Sequence, residues 1–243
     1  MTHFPTCYLR IDRAEKRLGE LKRELAAYEK ANVSSEIKVD GGSASITSWP
    51  TNPPPKIGIT AGEIVYNLRA ALDYLVFELA FHDSFNTSLD SINMRTQFPI
   101  EDTPEGFKGR IDPIKRRGGT IDNALTGVSP DHIAAIEALQ PYKGVDWTKL
   151  LRDLSNEDKH RTIPLLGYYM PIRTINVGGT EQEAAALGGY RKPGDMNVYY
   201  PTTFVVYFAN ASTGGNIAET LEILKTEVRT VIDSFEVDLQ GTA

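Results

Sequence analysis

The sequence predicts an α+β protein that has a helical-bundle core and antiparallel β-hairpin elements. Hydrophobic residues recur at helical spacing over four long segments, near residues 8–32, 60–81, 146–161 and 216–236. Segments rich in β-branched and aromatic residues interrupt these helices without alternating regularly with them. We therefore expect one α+β domain over residues 1–243, and not a parallel α/β fold.

Turn and cap residues divide the first half of the chain. Residues 35–48 alternate with a two-residue period around Asp40-Gly41-Gly42, which predicts a β-hairpin. Four prolines between Pro50 and Pro55 predict an extended connector. Thr60, followed by Glu63, has the spacing of a capping box, so we expect the second long helix to begin at Thr60.

The second half of the chain contains shorter elements. A short helix is predicted to begin near Pro104, and Ser129-Pro130 is a typical helix start. Residues 163–177 and 196–209 are rich in β-branched and aromatic side chains, so we expect strands there.

Composition narrows the classes of function. The net charge of −6 argues against general electrostatic binding to nucleic acid or an anionic membrane, so such binding would require a local basic patch. Cys7 is the only cysteine, and no apolar run approaches the roughly 20 residues of a membrane span. A cytoplasmic location is expected. The four histidines are too dispersed to predict a metal site, and no cofactor motif is present.

Charged residues interrupt the apolar faces of two of the long helices. On the 60–81 helix, Arg69 lies at the edge of the apolar stripe and Asp73 follows one turn later. On the 146–161 helix, the same periodicity places Asp158 and Arg161 on the stripe itself. Buried charges are costly unless they are paired. We therefore expect the helices to pack together, with Asp158 or Arg161 contacting Arg69 or Asp73.

A row of polar residues lies on another face of the 146–161 helix. Arg152, Asn156 and His160 follow one another at intervals of four residues. Two interpretations of the charged residues stay open. They form either a structural network that sets the helix register, or a site in which arginine positions an anion and a histidine titrates.

Two motifs carry a resemblance to known proteins. The segments NLRAALDYLV (67–76) and LSNEDKHR (154–161) resemble an uncharacterised bacterial family with N-L-R-x-A-L-D and N-x-D-K-H-R motifs. More loosely, the chain resembles the HEPN superfamily of helical bundles, whose RNases use an Arg-Asn-x-x-x-His motif on a late helix. Asn156 and His160 have that spacing, but Ser155 stands where the superfamily has arginine.

The HEPN resemblance implies a metal-independent RNase of a toxin or defence system. His160 would act as general base or acid, Asn156 would orient it or the substrate, and Arg152, Arg161 or Arg69 would stabilise charge on the phosphate. The resemblance also implies RNA as partner and a homodimer, because many HEPN sites lie between two protomers. The alternative is a non-enzymatic binding or interaction protein in which the network of Arg69, Asp73 and Asp158 is structural.

Overall fold

The computed structural model describes residues 2–32, 37–40, 43–46, 52–84, 96–112, 114–115, 121–169, 175–176, 190–191, 197–199, 204–209 and 216–241. The helices are α1 (Pro5–Asn32), α2 (Pro55–Asp83), α3 (Pro104–Ile111), α4 (Pro130–Ala138), α5 (Asp146–Asp158) and α6 (Ile217–Gly241), with a 3₁₀ turn at Pro141–Lys143. The strands are β1 (Ile37–Asp40), β2 (Ser43–Ile46), β3 (Ile114–Lys115), β4 (Ile121–Asp122), β5 (Leu165–Tyr169), β6 (Ile175–Asn176), β7 (Tyr190–Arg191), β8 (Asn197–Tyr199) and β9 (Phe204–Phe208). The described residues are thus mostly helical.

Helix α2 is the central element, and it packs against α1, α5 and α6. Its apolar stripe is fully buried, as its spacing predicts; the stripe comprises Ile64, Val65, Leu68, Leu72, Leu75, Val76 and Leu79. One buried cluster takes side chains from Phe4, before α1, through to Leu239 near the end of α6. Burial of apolar surface in this cluster is the main stabilising contribution that the fold supplies.

The strands pair antiparallel. The predicted hairpin is confirmed, since β1 pairs with β2 from Ile37↔Ile46 to Asp40↔Ser43. Strand β5 pairs with β9, and Val206 and Phe208 of β9 are buried in the helical cluster. The short strands β6 and β7 both pair with β8, and β3 pairs with β4.

The predicted start of the second long helix at Thr60 is wrong, because α2 begins five residues earlier at Pro55. Proline is tolerated there, since the first turn of a helix has backbone N–H groups without helical partners. Thr60 lies inside the helix, where its hydroxyl donates to the Lys56 carbonyl (3.1 Å). Glu63 forms an ion pair with Arg17 (2.9 Å) and does not complete a capping box.

The predicted third long helix also ends early, at Asp158 and not at residue 161. The chain leaves the helix because Ile163 is 2% exposed in the core and the following Pro164 disfavours helical backbone before it. The helix starts near Pro104 and at Ser129-Pro130 are confirmed; Thr103 and Ser129 cap α3 and α4 through their side chains. Helix α6 continues to Gly241, beyond the predicted residue 236.

Two glycines of α2 allow the end of α5 to approach closely. A Cβ at Gly58 would lie 2.7 Å from Thr162 Cγ2 and 2.9 Å from the Ile163 carbonyl oxygen. A Cβ at Gly62 would overlap the Asp158 carboxylate. Asp158 and the residues that follow α5 are therefore held directly against the backbone of α2.

Candidate functional site

Two cavities open side by side where α1, α2 and α5 meet. The α1 cavity has a volume of about 580 Å³ and the α5 cavity about 430 Å³. Tyr66 lines both cavities, so they adjoin there, and together we call them the basic trough. The α1 cavity is also lined by Arg10, Arg13, Arg17, Ile59, Glu63, Asn67, Asp158 and Thr162. The α5 cavity is also lined by Arg69, Ala70, Asp73, Tyr74, Gln97, Ile100, Glu101, Arg110, Arg152, Ser155, Asn156 and Lys159.

The trough is cationic although the chain is acidic. Of its described lining residues, seven are arginine or lysine and four are aspartate or glutamate, whereas the whole chain has a net charge of −6. Cations gathered on one surface attract anions and contact phosphate groups. The arrangement supplies the local basic patch that the overall charge does not.

Arg10 is held in place by neutral groups. Its Nη1 donates to Asn67 Oδ1 (3.1 Å) and its Nη2 to the Tyr74 hydroxyl (2.6 Å). Its guanidinium carbon lies 5.6 Å from the ring centroid of Tyr66 and 4.9 Å from that of Tyr74, within cation–π range. Among the described residues, no carboxylate forms an ion pair with Arg10, so its charge is ordered without being neutralised.

The other two arginines of the α1 cavity differ from each other. Arg17 is neutralised by Glu20 (2.5 Å) and Glu63 (2.9 Å). Arg13 is exposed, and within the described ranges it makes neither an ion pair nor a side-chain hydrogen bond. Arg10 and Arg13 therefore present positive charge that an anionic ligand could neutralise.

In the α5 cavity, Arg69 and Asp73 form a closed arrangement with the segment before α3. Arg69 Nη2 lies 3.0 Å from Asp73 Oδ1 and donates to the Phe98 carbonyl, while the Phe98 amide donates to Asp73 Oδ1 (2.9 Å). Burial lowers the pKa of Arg69 and raises the pKa of Asp73, and the attraction between them offsets only part of each shift. The pair thus anchors residue 98 on α2.

The other two arginines of the α5 cavity lie near carboxylates. Arg152 contacts Asp102 (3.1 Å) and Asp153 (2.9 Å), and Arg110 contacts Glu101 (3.0 Å). These acids are 28–52% exposed, so solvent screens the pairs. An anion that enters the cavity could therefore bind these guanidinium groups in place of their solvated carboxylate partners.

The structure brings together four of the seven residues that the sequence singles out. Arg69, Asp73, Arg152 and Asn156 line the α5 cavity. Asp158 lines the α1 cavity instead, and His160 and Arg161 line neither. The two cavities meet at Tyr66, so five of the seven face the basic trough.

The expected contact from Asp158 or Arg161 to Arg69 or Asp73 is wrong. Asp158 packs on Gly62, seven residues or about 10 Å along α2 from Arg69, because only a glycine leaves room for it there. Burial raises the pKa of Asp158, and the neighbouring Glu63 carboxylate raises it further. Arg161 lies beyond the end of α5, where it is exposed and pairs with Glu157 (2.6 Å).

The predicted polar row of Arg152, Asn156 and His160 is also incomplete, because α5 ends at Asp158. Arg152 and Asn156 stay on the helix, but His160 follows its last turn, with its amide donating to the Glu157 carbonyl (3.1 Å). The His160 side chain is exposed, and among the described residues it forms no side-chain hydrogen bond or ion pair. Asn156 accepts from Lys159 (3.4 Å) and not from the histidine.

Most other residues of the trough were not singled out from the sequence, and Arg10, Arg13 and Tyr66 are among them. Arg10, Arg13 and Arg17 recur at intervals of three and four residues, which places them on one face of α1. That spacing could have indicated a basic surface, because packing requires only the apolar stripe of a helix and not a row of arginines on another face.

A second charged cluster, which we call the His132 clamp, lies at the other end of α2. His132 Nδ1 is 2.7 Å from Asp83 Oδ2, and Nε2 is 3.0 Å from Asp238 Oδ2, so α4 is joined to the ends of α2 and α6. Burial alone raises the pKa of Asp83, but hydrogen bonds from His132 and the Ser129 amide outweigh that effect and leave the pKa below its ordinary value.

Neither cluster is arranged as a metal centre. Within the described ranges, no group of three or more His, Cys, Asp or Glu side chains is placed to hold a metal ion. The helices of those same ranges include none that is long and apolar enough to cross a membrane.

No family model, curated protein or solved structure matches this chain.

Proposed function

We propose that this protein is a binding protein whose basic trough holds a phosphate-bearing ligand, and that this ligand is RNA. The observation that carries the proposal is that Arg10 and Arg13 face the trough without a carboxylate partner among the described residues. A protein with a net charge of −6 gains nothing in general solubility from gathering seven cations in one place. Phosphate groups are the ligands that clustered arginines hold best.

The proposal assigns different roles to the two ends of the trough. Arg10 and Arg13 supply uncompensated charge, whereas the Arg69–Asp73 pair is structural and shapes the wall. This is the non-enzymatic alternative described above, with the structural network reduced to Arg69 and Asp73. We also propose that residues 1–243 form one domain with a helical-bundle core, since the buried cluster includes side chains of α1, α2, α5 and α6.

Arg13→Gln tests the proposal, because Arg13 is exposed and, among the described residues, forms no ion pair or side-chain hydrogen bond whose loss would disturb the fold. We expect Arg13→Gln to weaken binding of a fluorescent RNA and to reduce the slope of log affinity against log salt by about 0.7, the value for one phosphate contact on a single strand. Fluorescence anisotropy over a salt series measures both.

The matched control is Arg229→Gln. Arg229 is an exposed arginine of α6 that lies 5.8 Å from the Tyr8 ring centroid and lines neither cavity. Its removal changes the net charge equally and should leave the salt slope within error of wild type. Equal affinities for the wild type and both variants at every salt concentration would overturn the proposal.

The second candidate is the metal-independent RNase that the HEPN resemblance implies. It is favoured by the placement of Arg152 and Asn156 in one cavity with Arg69, and by the exposure of His160 one turn after Asn156. Since His160 lines neither cavity, a substrate would have to extend past the end of α5 to reach it. Cleavage of RNA in EDTA by wild type, lost in His160→Ala while binding is retained, would establish catalysis. Intact RNA with both proteins leaves binding as the function.

A further inference from the structure

Tyr66 occupies the point where the two cavities meet. It is 57% exposed, although the residues beside it on α2, Val65 and Asn67, are buried. The ring therefore projects from the central helix α2 into the trough. A large aromatic side chain that lines a cationic cavity without being covered offers a flat apolar surface to a ligand.

Arg10 supports one side of this ring and fixes the surroundings. Its guanidinium group is oriented by Asn67 and by the Tyr74 hydroxyl, and it lies over both tyrosine rings. Arg10 is thus ordered before a ligand arrives, which reduces the entropy that binding would cost. The result is a preformed layer of arginine and tyrosine between the cavities.

Cations lie on both sides of that layer. Arg13 faces the α1 cavity, while Arg152 and Lys159 face the α5 cavity. An aromatic surface flanked by cations matches a chain in which flat bases alternate with phosphates. Proteins that bind single strands combine these two features, with bases stacked on aromatic rings and basic residues along the backbone.

We infer that the ligand is single-stranded RNA, bound with one base stacked on Tyr66 and with phosphates in the α1 and α5 cavities on either side. This inference rests on the proposed function. It excludes duplex RNA as the preferred ligand, because the bases of a duplex are stacked on one another and cannot lie on a side chain.

Tyr66→Leu tests the inference, with a fluorescein-labelled RNA of about 12 nucleotides, within the range of single-strand site sizes. We expect Tyr66→Leu to weaken binding about 5- to 150-fold, the usual effect of losing one stacked base. Tyr66→Phe keeps the ring and should stay within about twofold of wild type. The same RNA annealed to its complement should bind more weakly than the single strand.

Phe77→Leu is the matched control. Phe77 is an aromatic residue of the same helix, 45% exposed, that lines neither cavity. Its replacement should leave RNA binding unchanged, and circular dichroism checks that both leucine variants fold. Inorganic polyphosphate, which has no bases, should compete at equal phosphate concentration less well than unlabelled RNA.

The outcomes separate the inference from the proposed function. If Tyr66→Leu binds like wild type, or polyphosphate competes as well as RNA, while Arg13→Gln still weakens binding, stacking is overturned and the phosphate-binding trough stands. If duplex and single strand bind equally, the preference for single strands is overturned. If neither RNA nor polyphosphate binds, the proposed function and the inference both fail.

Discussion

The basic trough and the His132 clamp are charged clusters that both include residues of α2, but their charges are balanced differently. In the clamp, both nitrogens of His132 face carboxylates, and the His132 side chain is only 9% exposed. In the trough, cations outnumber acids, and Arg10 and Arg13 have no carboxylate partner among the described residues. A buried charge needs a partner, whereas an accessible charge without a partner can attract an anion from solution. The clamp therefore joins helices, whereas the trough leaves positive charge accessible, which is the basis of the binding function that we propose.

The Arg69–Asp73 pair lines the trough. Its side chains are nevertheless mostly buried, as His132 and Asp83 are in the clamp. We expect Arg69→Met to lower the free energy of unfolding by about 3 kcal/mol, because it leaves Asp73 partly buried without its cation. Urea denaturation measures the loss. Arg110→Met is the control, since Arg110 is 47% exposed and its pair with Glu101 contributes less than about 1 kcal/mol. Equal losses would mean that the Arg69 pair is no more structural than its exposed neighbour.

His132→Ala tests the clamp directly. We expect a loss of about 2–3 kcal/mol in the free energy of unfolding, because Asp83 is only 7% exposed and loses its closest donor. The matched control is His160→Ala, which removes an exposed histidine without described side-chain contacts and should change stability by less than about 0.5 kcal/mol. Chemical denaturation of the two variants measures both free energies of unfolding. Similar losses in the two variants would show that the clamp does not stabilise the fold.

Two aspartates should respond to pH in opposite directions. Asp83 has a lowered pKa, so its stabilising contribution is present above the ordinary aspartate pKa of about 4 and is lost as pH falls through its folded value. Asp158 has a raised pKa, so its ionised form disfavours folding at pH 7, and this cost is relieved as pH falls through its raised folded value. Asp83→Asn should therefore destabilise the protein at pH 7 by about 1–3 kcal/mol. Asp158→Asn should raise stability slightly, by less than about 1 kcal/mol.

Thermal melts of both asparagine variants from pH 7 to pH 3 provide the measurement. The difference between wild type and Asp158→Asn should shrink as the pH falls, because both proteins then have an uncharged side chain at that position. The difference between wild type and Asp83→Asn should persist to lower pH. Changes of the same sign in both variants would contradict the assignment of the two environments.

The smallest effect on stability is expected for Arg13→Gln. Because Arg13 is exposed and makes no described polar contact, the change in unfolding free energy should be within about 0.5 kcal/mol. Differential scanning fluorimetry measures it beside the RNA-binding assay. A large stability loss would place Arg13 with the clamp residues, as part of the fold.

Local patterns in the sequence predict most of the helices and part of the trough. The apolar stripe of α2, the β1–β2 hairpin and the caps of α3 and α4 depend on residues only a few positions apart. The ion pair of Arg69 with Asp73 is local for the same reason, since its members are four residues apart. Such spacings are visible without a fold.

Contacts between distant segments could not be predicted in this way. The His132 clamp joins residues that are 49 and 106 positions apart. Tyr66 stands out as a candidate binding residue only because it lines both cavities, and no local pattern shows this. The position of Asp158 depends on Gly62, whose missing side chain lets α5 approach α2 and directs the carboxylate away from Arg69.

The sequence by itself determined the helical spacing, the β1–β2 hairpin and the presence of charged residues on the faces of α2 and α5, because each follows from local residue patterns. Only the tertiary structure decided which charges meet. Packing joined Arg69 to residue 98, moved Asp158 to the α1 cavity and left His160 outside both cavities. The physical reason is that the end of a helix and the distance between two helices depend on how side chains from distant parts of the chain pack in one close-packed core.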